Sequence, residues 1–222
     1  MPTLPHDAPA RRILREVFGY SSFRPGQEEA IANIQAGTNV LTVMPTGGGK
    51  SMCFQIPALL GIGLTVVVSP LVALMEDQVA ALKLEGVAAE TINSSRDRET
   101  NVETWQRVAT GAIRLLYISP ERLMTERMLQ ALQRLDVVQI AIDEAHCISR
   151  WGPSFRPDYE ALTRLAELFP NVPLSAFTAT ADEATRTDIS TKLFNGKGRT
   201  FVTGFDRPNI RLAVTVRRDW KS

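Results

Sequence analysis

Short apolar runs alternate with longer stretches of helical period along almost the whole chain. Runs suited to strands fall at 40–44, 64–69, 88–92, 115–119, 137–142, 174–178 and 200–203. Before and between them, apolar residues recur every three or four positions at 8–18, 26–36, 50–60, 71–84, 98–110, 121–135, 157–169 and 182–194. Such alternation predicts an α/β domain whose mostly parallel sheet carries helices on both faces. In such sheets ligands bind beyond the carboxyl ends of the strands. The rhythm breaks after residue 204, where Asp206-Arg207-Pro208-Asn209 precedes an apolar alternation over 210–216 and a polar end. The expected division is a domain over 1–204 and a linker or crossing segment over 205–222.

Two of the predicted strand ends carry matched chemistry. Met44-Pro-Thr-Gly-Gly-Gly-Lys-Ser51 follows the run 40–44 and opens the helical stretch 50–60, the strand–loop–helix setting of a phosphate-binding loop. Thr46, Gly47, Gly48 and Gly49 can aim backbone N–H groups inward, because glycine tolerates positive φ and close approach. The positive end of the following helix adds to the attraction. Lys50 would reach the β- and γ-phosphates of ATP, and Ser51 would place its hydroxyl on Mg²⁺. Met44 stands where the usual pattern has its first glycine. Roughly 90 residues on, the buried-strand run 137–142 ends at Asp143-Glu144. Asp143 can hold Mg²⁺ through water, and Glu144 can polarise the water that attacks the γ-phosphate. Together these features define an NTPase core.

Composition adds bounds. At 222 residues, 44% apolar and 22% charged, the chain suits a soluble globular protein with a substantial core. No apolar run approaches the ~20 residues that span a bilayer, so no membrane partner is expected. The first residues lack the basic-then-apolar layout of a secretory signal. Cys53 and Cys147 have neither metal-site nor disulfide spacing, so no zinc site and a reducing, intracellular compartment are expected. A formal net charge of +1 neither demands nor excludes nucleic acid.

Other segments extend the chemistry outward from the phosphate loop. Gln27 can make a paired amide contact that distinguishes adenine, with Tyr20 and Arg24 suited to stack on its ring. Ser69-Pro-Leu71 and Ser119-Pro-Glu-Arg122 each follow an apolar strand and open a helix, where serine and free N–H groups can hold a phosphate oxygen. The stretch from Ala145 to Arg156 joins His146, Trp151, Phe155 and two arginines, a content that stacks on unpaired bases and pairs with a phosphate backbone. Thr178 and Thr180 end another apolar strand, where hydroxyls could bond the Asp143-Glu144 end of its neighbour.

Taken together the blocks resemble the first RecA-like domain of a RecQ-family, superfamily 2 DNA helicase. The resemblance rests on Phe18-Gly-Tyr20, Phe23 to Gln27, Met44 to Ser51, Ser69-Pro-Leu71, Ser119 to Leu123, Asp143 to Ser149, Trp151, Phe155-Arg-Pro157, Phe177 to Ala181 and Phe205 to Ile210. It implies a RecA-like P-loop fold, with ATP and Mg²⁺ at Lys50, Ser51, Asp143 and Glu144 and an adenine-reading motif at 18–27. It further implies single-stranded DNA along the loops of Ser69, Ser119 and Arg122 and along the aromatic-rich loop of Trp151, Phe155 and Arg156. His146 would relay DNA occupancy to the ATP site, while Thr178 and Thr180 would couple hydrolysis to domain movement. Three positions depart from expectation: Met44, Glu76 beside the Ser69 loop, and Pro153-Ser154 where relatives usually carry His-Asp.

The family's second RecA-like domain, which supplies arginines to the γ-phosphate, leaves no Gln-x-x-Gly-Arg-x-Gly-Arg motif in this sequence; neither a zinc cysteine set nor a winged helix is seen. The chain is therefore expected to be an excised or naturally truncated first domain that turns over slowly alone. In the intact enzyme the resemblance implies 3′-to-5′ unwinding of DNA junctions in repair and recombination, in the bacterial cytoplasm and nucleoid or in a nucleus. Two other readings stay open at this point: another superfamily 2 ATPase acting on RNA or chromatin, and a module that binds nucleotide without hydrolysing it.

Overall fold

Among the described residues seven strands, all paired in parallel, form one sheet in the order β3-β4-β2-β5-β6-β1-β7. They are β1 (Val40–Val43), β2 (Leu64–Val68), β3 (Ala89–Ile92), β4 (Leu115–Ile118), β5 (Val137–Ile142), β6 (Leu174–Thr178) and β7 (Arg199–Val202). The computed structural model describes residues 8–149 and 155–204. The expected linker 205–222, with its Asp206-Arg-Pro-Asn209 block, lies outside the described residues, as do Trp151 and Pro153-Ser154.

Strands β1 to β6 are buried because both faces of the sheet are covered there, while the edge strand β7 is mostly exposed, and alternate residues feed separate cores. Val66, Val68, Leu116, Ile118, Ile140 and Ile142 face one core. It is closed by α5 (Arg98–Ala109), α6 (Pro120–Leu123), α7 (Glu126–Leu132), α8 (Pro157–Glu160), α9 (Leu165–Leu168) and α10 (Glu183–Phe194). Val40, Val67, Leu115, Tyr117 and Phe177 face the other, beneath α2 (Gln27–Gln35), α3 (Met52–Leu60) and α4 (Val72–Leu84). The short α1 (Pro9–Glu16) packs outside α2 and α3 through Ala10 and Leu14, against Ile31 and Ile56. This period-2 division is what the strand geometry dictates.

Two expected helices differ. The stretch 121–135 is divided, because Thr125 leaves the helical backbone to cap α7, its hydroxyl accepting from Met128 N. The stretch 157–169 is α8 and α9 joined by a 3₁₀ turn, Ala161–Arg164, rather than one α-helix. Its periodicity survives, since Tyr159, Leu162 and Leu165 are all buried.

The topology sets the site. Strand β6 lies between β1 and β5, so the loop after β1, the acid pair after β5 and the threonine end of β6 meet at one edge. Met44 N donates to Thr178 O at 3.1 Å and Asp143 N to Val68 O at 2.8 Å, which fixes the departure of the first two.

Candidate nucleotide site and nucleic-acid face

The loop after β1 holds its shape through glycines. Gly47 and Gly49 have φ of +79° and +81°. A Cβ on Gly48 would lie 2.8 Å from Pro45 O, and one on Gly49 would strike the Gln27 amide. A larger residue at either position would push the loop off its supports. Lys50 Nζ donates to Met44 O at 3.2 Å, so the cation lies back across its own loop. Ser51 precedes α3, whose first turn is closed by Gln55 N donating to Ser51 O at 2.9 Å. Cys53, the next apolar position, is fully buried and its thiol is pushed up to about 12 by that burial.

Gln27 is buried under this loop with both ends of its amide engaged. Its Nε2 donates to Gly49 O at 2.9 Å and Gly48 O at 3.4 Å, while Arg24 N donates to Oε1 at 2.8 Å. Arg24 in turn donates from its guanidinium to Gly47 O. Tyr20 is 51% exposed at the rim, free to lie against a planar ring. The expected adenine contact of Gln27 would draw on an Nε2 hydrogen that here faces Gly48 O or Gly49 O, so base recognition and the phosphate loop share one amide.

The acid pair is unlike on its two members. Asp143 is only 7% exposed, and burial, reinforced by the neighbouring charge of Glu144, pushes its carboxyl up to about 6. Glu144 is held in the left-handed region, φ 51° and ψ 41°, which turns its side chain back toward the cleft. Its carboxyl lies below the usual range, first because His146 donates to it and despite partial burial. His146 Nδ1 is 3.2 Å from Glu144 Oε2 and 3.0 Å from Thr178 Oγ1. The imidazole is raised to about 9 by hydrogen bonds to the Cys147 sulfur and to Glu144, which outweigh its desolvation. Thr178 Oγ1 donates to Thr180 O at 3.1 Å and accepts from Thr180 N at 3.3 Å. The threonines thus reach the acid pair through His146, not directly, and Thr180 takes part through its backbone alone.

A cleft of about 410 Å³ gathers Tyr20, Arg24, Gln27, Thr46, Gly47, Gly49, Lys50, Ser51, Asp143 and Glu144. Gly48 stands behind it as packing. The donor set fits a magnesium nucleotide: main-chain N–H groups and a lysine for phosphate, with a hydroxyl and a buried carboxylate for a hard cation that keeps most of its waters. A carboxyl destabilised by burial is the group a divalent cation would restore to carboxylate. Gln78 also lines this cleft, at the end of a buried chain in which Gln55 Nε2 donates to Tyr117 OH at 3.1 Å and Tyr117 OH to Gln78 Oε1 at 3.0 Å. Tyr159, fully buried, donates its hydroxyl to Asp143 O at 2.9 Å. Sequence reasoning missed both supports. A tyrosine at a core position signals a hydroxyl in need of a partner, but the partner becomes visible only in space.

On the expected nucleic-acid face the serines are placed at the carboxyl edge, as their strand ends require, but their hydroxyls differ. Ser69 is 2% exposed and its Oγ has no partner among the described residues, whereas Ser119 donates to Glu121. Arg122, Arg156 and Thr180 are exposed, and Phe155 is half-buried. Glu76 faces away from the Ser69 loop: its carboxylate accepts from Asn93 Nδ2 and Ser95 Oγ, both at 3.4 Å, and lies 3.8 Å from Arg96 Nε. Glu76 thereby braces the turn after β3.

Fold and site define a P-loop nucleotide-binding domain of the parallel α/β class. The DEAD/DEAH box helicase family matches residues 24–189. A relative from Haemophilus influenzae, "ATP-dependent DNA helicase RecQ", is 48% identical over 205 residues, covering 92% of this chain and 33% of that protein. Its counterpart of the same name from Bacillus subtilis is 45% identical over 207 residues, covering 92% and 35%. Among solved structures, the DUF1998 helicase MrfA bound to DNA superposes with a TM-score of 0.71 at 20% identity, over 91% of this chain and 30% of that one. The chain therefore belongs to the DEAD/DEAH box helicases and, within them, to the RecQ family. It spans about a third of the length of these curated relatives.

Proposed function

We propose that this chain is the ATP-binding half of a RecQ-type ATP-dependent DNA helicase, which converts ATP hydrolysis into movement along single-stranded DNA. The observation that carries the reading is the cleft in which the phosphate loop and the Asp143-Glu144 pair face each other, with His146 joining that pair to the end of β6. Lys50 exchanges Met44 O for phosphate oxygens. Ser51 and Asp143 would hold Mg²⁺, whose charge offsets that of the phosphates when it is bound. Glu144, kept as a carboxylate by the His146 contact, accepts a proton from the water that attacks the γ-phosphate. Loss of that charge weakens the hold on His146, and Thr178 registers the change at the next strand.

The remaining members of the reading follow from the family. A second RecA-like domain would complete the cleft with arginines, a contribution on the order of 10³–10⁵ in rate. Ser69, Ser119, Arg122, Trp151, Phe155 and Arg156 would line the DNA path, and the site of action would be wherever the cell keeps its DNA. The DNA rather than RNA preference is supported by the names of the relatives that match at 45–48% identity. The test is ATP turnover by a protein joining this chain to such a second domain, with DNA and RNA single strands as activators. DNA-stimulated turnover that Lys50→Ala abolishes supports the reading. Stimulation by RNA alone overturns the substrate assignment, and saturable nucleotide binding without turnover overturns the enzymatic one.

A further inference from the structure

Beside the loop of Ser119, a groove of about 550 Å³ runs between α5 and the α6–α7 corner. Its α5 wall is one helical face, Arg98, Val102 and Trp105, at the i, i+4 and i+7 spacing. Arg122, Arg127 and Met128 form the opposite wall. Val102 is 45% exposed, an unusual state for an apolar side chain facing a concave surface, and Trp105 is only partly buried. Among the described residues no carboxylate lines the groove. Glu99 and Glu103 share α5 but lie off this face, and Glu126 accepts from Gln130 Nε2 at 2.8 Å. Among the described residues no ion pair or side-chain hydrogen bond engages the guanidinium groups of Arg98, Arg122 or Arg127. Elsewhere the same surface neutralises its arginines readily: Arg96 and Arg107 both contact Glu90.

We infer that this groove binds nucleotides of a single strand, with bases against Trp105 and Val102 and phosphates between Arg98, Arg122 and Arg127. The inference rests on the DNA-helicase reading above and extends the nucleic-acid path past the Ser119 loop. Three unpaired guanidiniums around an apolar, aromatic floor are what a stacking platform with backbone contacts needs. The position argues for nucleic acid over an acidic peptide. Ile92 ends β3, Arg98 opens α5 and Arg122 follows β4, so the groove opens at the carboxyl edge and shares Arg122 with the Ser119 loop.

The test is fluorescence anisotropy of a labelled oligothymidylate, and of an abasic backbone of equal length, with the chain and its variants. Arg98 and Arg127 are exposed, so Arg98→Gln/Arg127→Gln keeps the fold, and thermal unfolding verifies this for Trp105→Ala and Trp105→Phe. Trp105→Ala is expected to weaken oligothymidylate about tenfold while leaving the abasic strand unchanged, and Trp105→Phe to restore most of the loss. The double arginine variant is expected to lower the slope of log affinity against log salt by about 1.4, the change for two phosphate contacts. Variants that bind as the parent chain does overturn the groove and leave the DNA reading standing. A parent chain that binds no oligonucleotide, yet binds nucleotide through Lys50, overturns both. Binding of an acidic, phenylalanine-containing peptide that the arginine changes abolish, with oligonucleotide affinity unmoved, assigns the groove to a protein partner instead and also overturns it.

Discussion

The nucleotide site and the proposed nucleic-acid face lie along the same carboxyl edge of this sheet and are made of the same parts, strand ends followed by helix starts, yet they are finished differently. Around the phosphate loop the polar groups are engaged: Lys50 with Met44, the Gln27 amide with Gly48, Gly49 and Arg24, Glu144 with His146, and His146 with Thr178. On the proposed nucleic-acid face the scaffold beneath is tied down, but among the described residues several polar groups lack partners. Ser69 Oγ is buried without a partner, and the guanidiniums of Arg98, Arg122 and Arg127 stand free among the described residues. The nucleotide site is organised before its ligand arrives; the proposed nucleic-acid face presents charge and apolar surface to a ligand that would supply the remaining contacts. A small, rigid substrate whose reacting bond must be aligned rewards the first arrangement, and a long flexible strand tolerates the second.

The largest effect that tests this contrast belongs to Glu144. In a protein with both halves of the site, Glu144→Gln is expected to cut turnover by about 10²–10⁴ while nucleotide affinity moves little, as for a group that acts only on the attacking water. Equal losses in affinity and turnover would instead mark Glu144 as part of the binding cradle. Next comes the strain stored at Asp143. Its carboxyl is raised from the ordinary range to about 6, so the folded chain holds its proton more tightly than the unfolded one. The carboxyl therefore penalises folding above pH 6, and the penalty fades as pH falls through 6 toward 4. Without nucleotide or magnesium, Asp143→Asn is expected to stabilise the chain by up to about 3 kcal/mol at pH 8 and by nothing near pH 3. A gain that does not vary with pH, in denaturant melts across that range, would contradict the assignment.

A smaller effect tests the scaffold of the proposed nucleic-acid face. Asn93 is fully buried, and its Oδ1 accepts from Ser95 N, Arg96 N and Ser95 Oγ at 3.0, 3.2 and 2.7 Å, holding the turn that leads into α5. Asn93→Ala is expected to cost about 2 kcal/mol, read from the urea midpoint. A neutral result would mean that this turn is as loose as the groups it carries. The smallest expected effect is at Glu121, which holds the Ser119 hydroxyl. Removing that charge in Glu121→Ala should tighten single-stranded DNA a few-fold at low salt, and less at high salt. Weaker binding would show that the Ser119–Glu121 pair is itself part of the DNA contact.

All seven strands, and both ends of the nucleotide site, were legible in the sequence because each depends on local pattern: a buried run, a glycine loop, an acid pair at a strand end. Contacts made across the fold were not. The apolar spacing of 121–135 gave no sign that Thr125 would end one helix and cap the next, since its side chain competes locally with the helix backbone. Residue type suggested that Thr178 and Thr180 would reach the acids, yet the distance is bridged by His146. Nothing near Tyr159 or Gln78 in the chain points to Asp143 or to the cleft, because those partners come together only through strand order. Glu76 stands in the sequence only as an unexplained departure beside the Ser69 loop, until the turn after β3 is seen to use it.

The central claim is that residues 44–51 and 143–144 form one nucleotide site within this chain. Its most direct measurement is a titration with Mg-ATP by calorimetry, paired with steady-state turnover with and without single-stranded DNA, for the chain and for Lys50→Ala. The account predicts saturable binding that Lys50→Ala abolishes, with little turnover in either case. Binding that survives Lys50→Ala, or no binding by the parent chain, would contradict it.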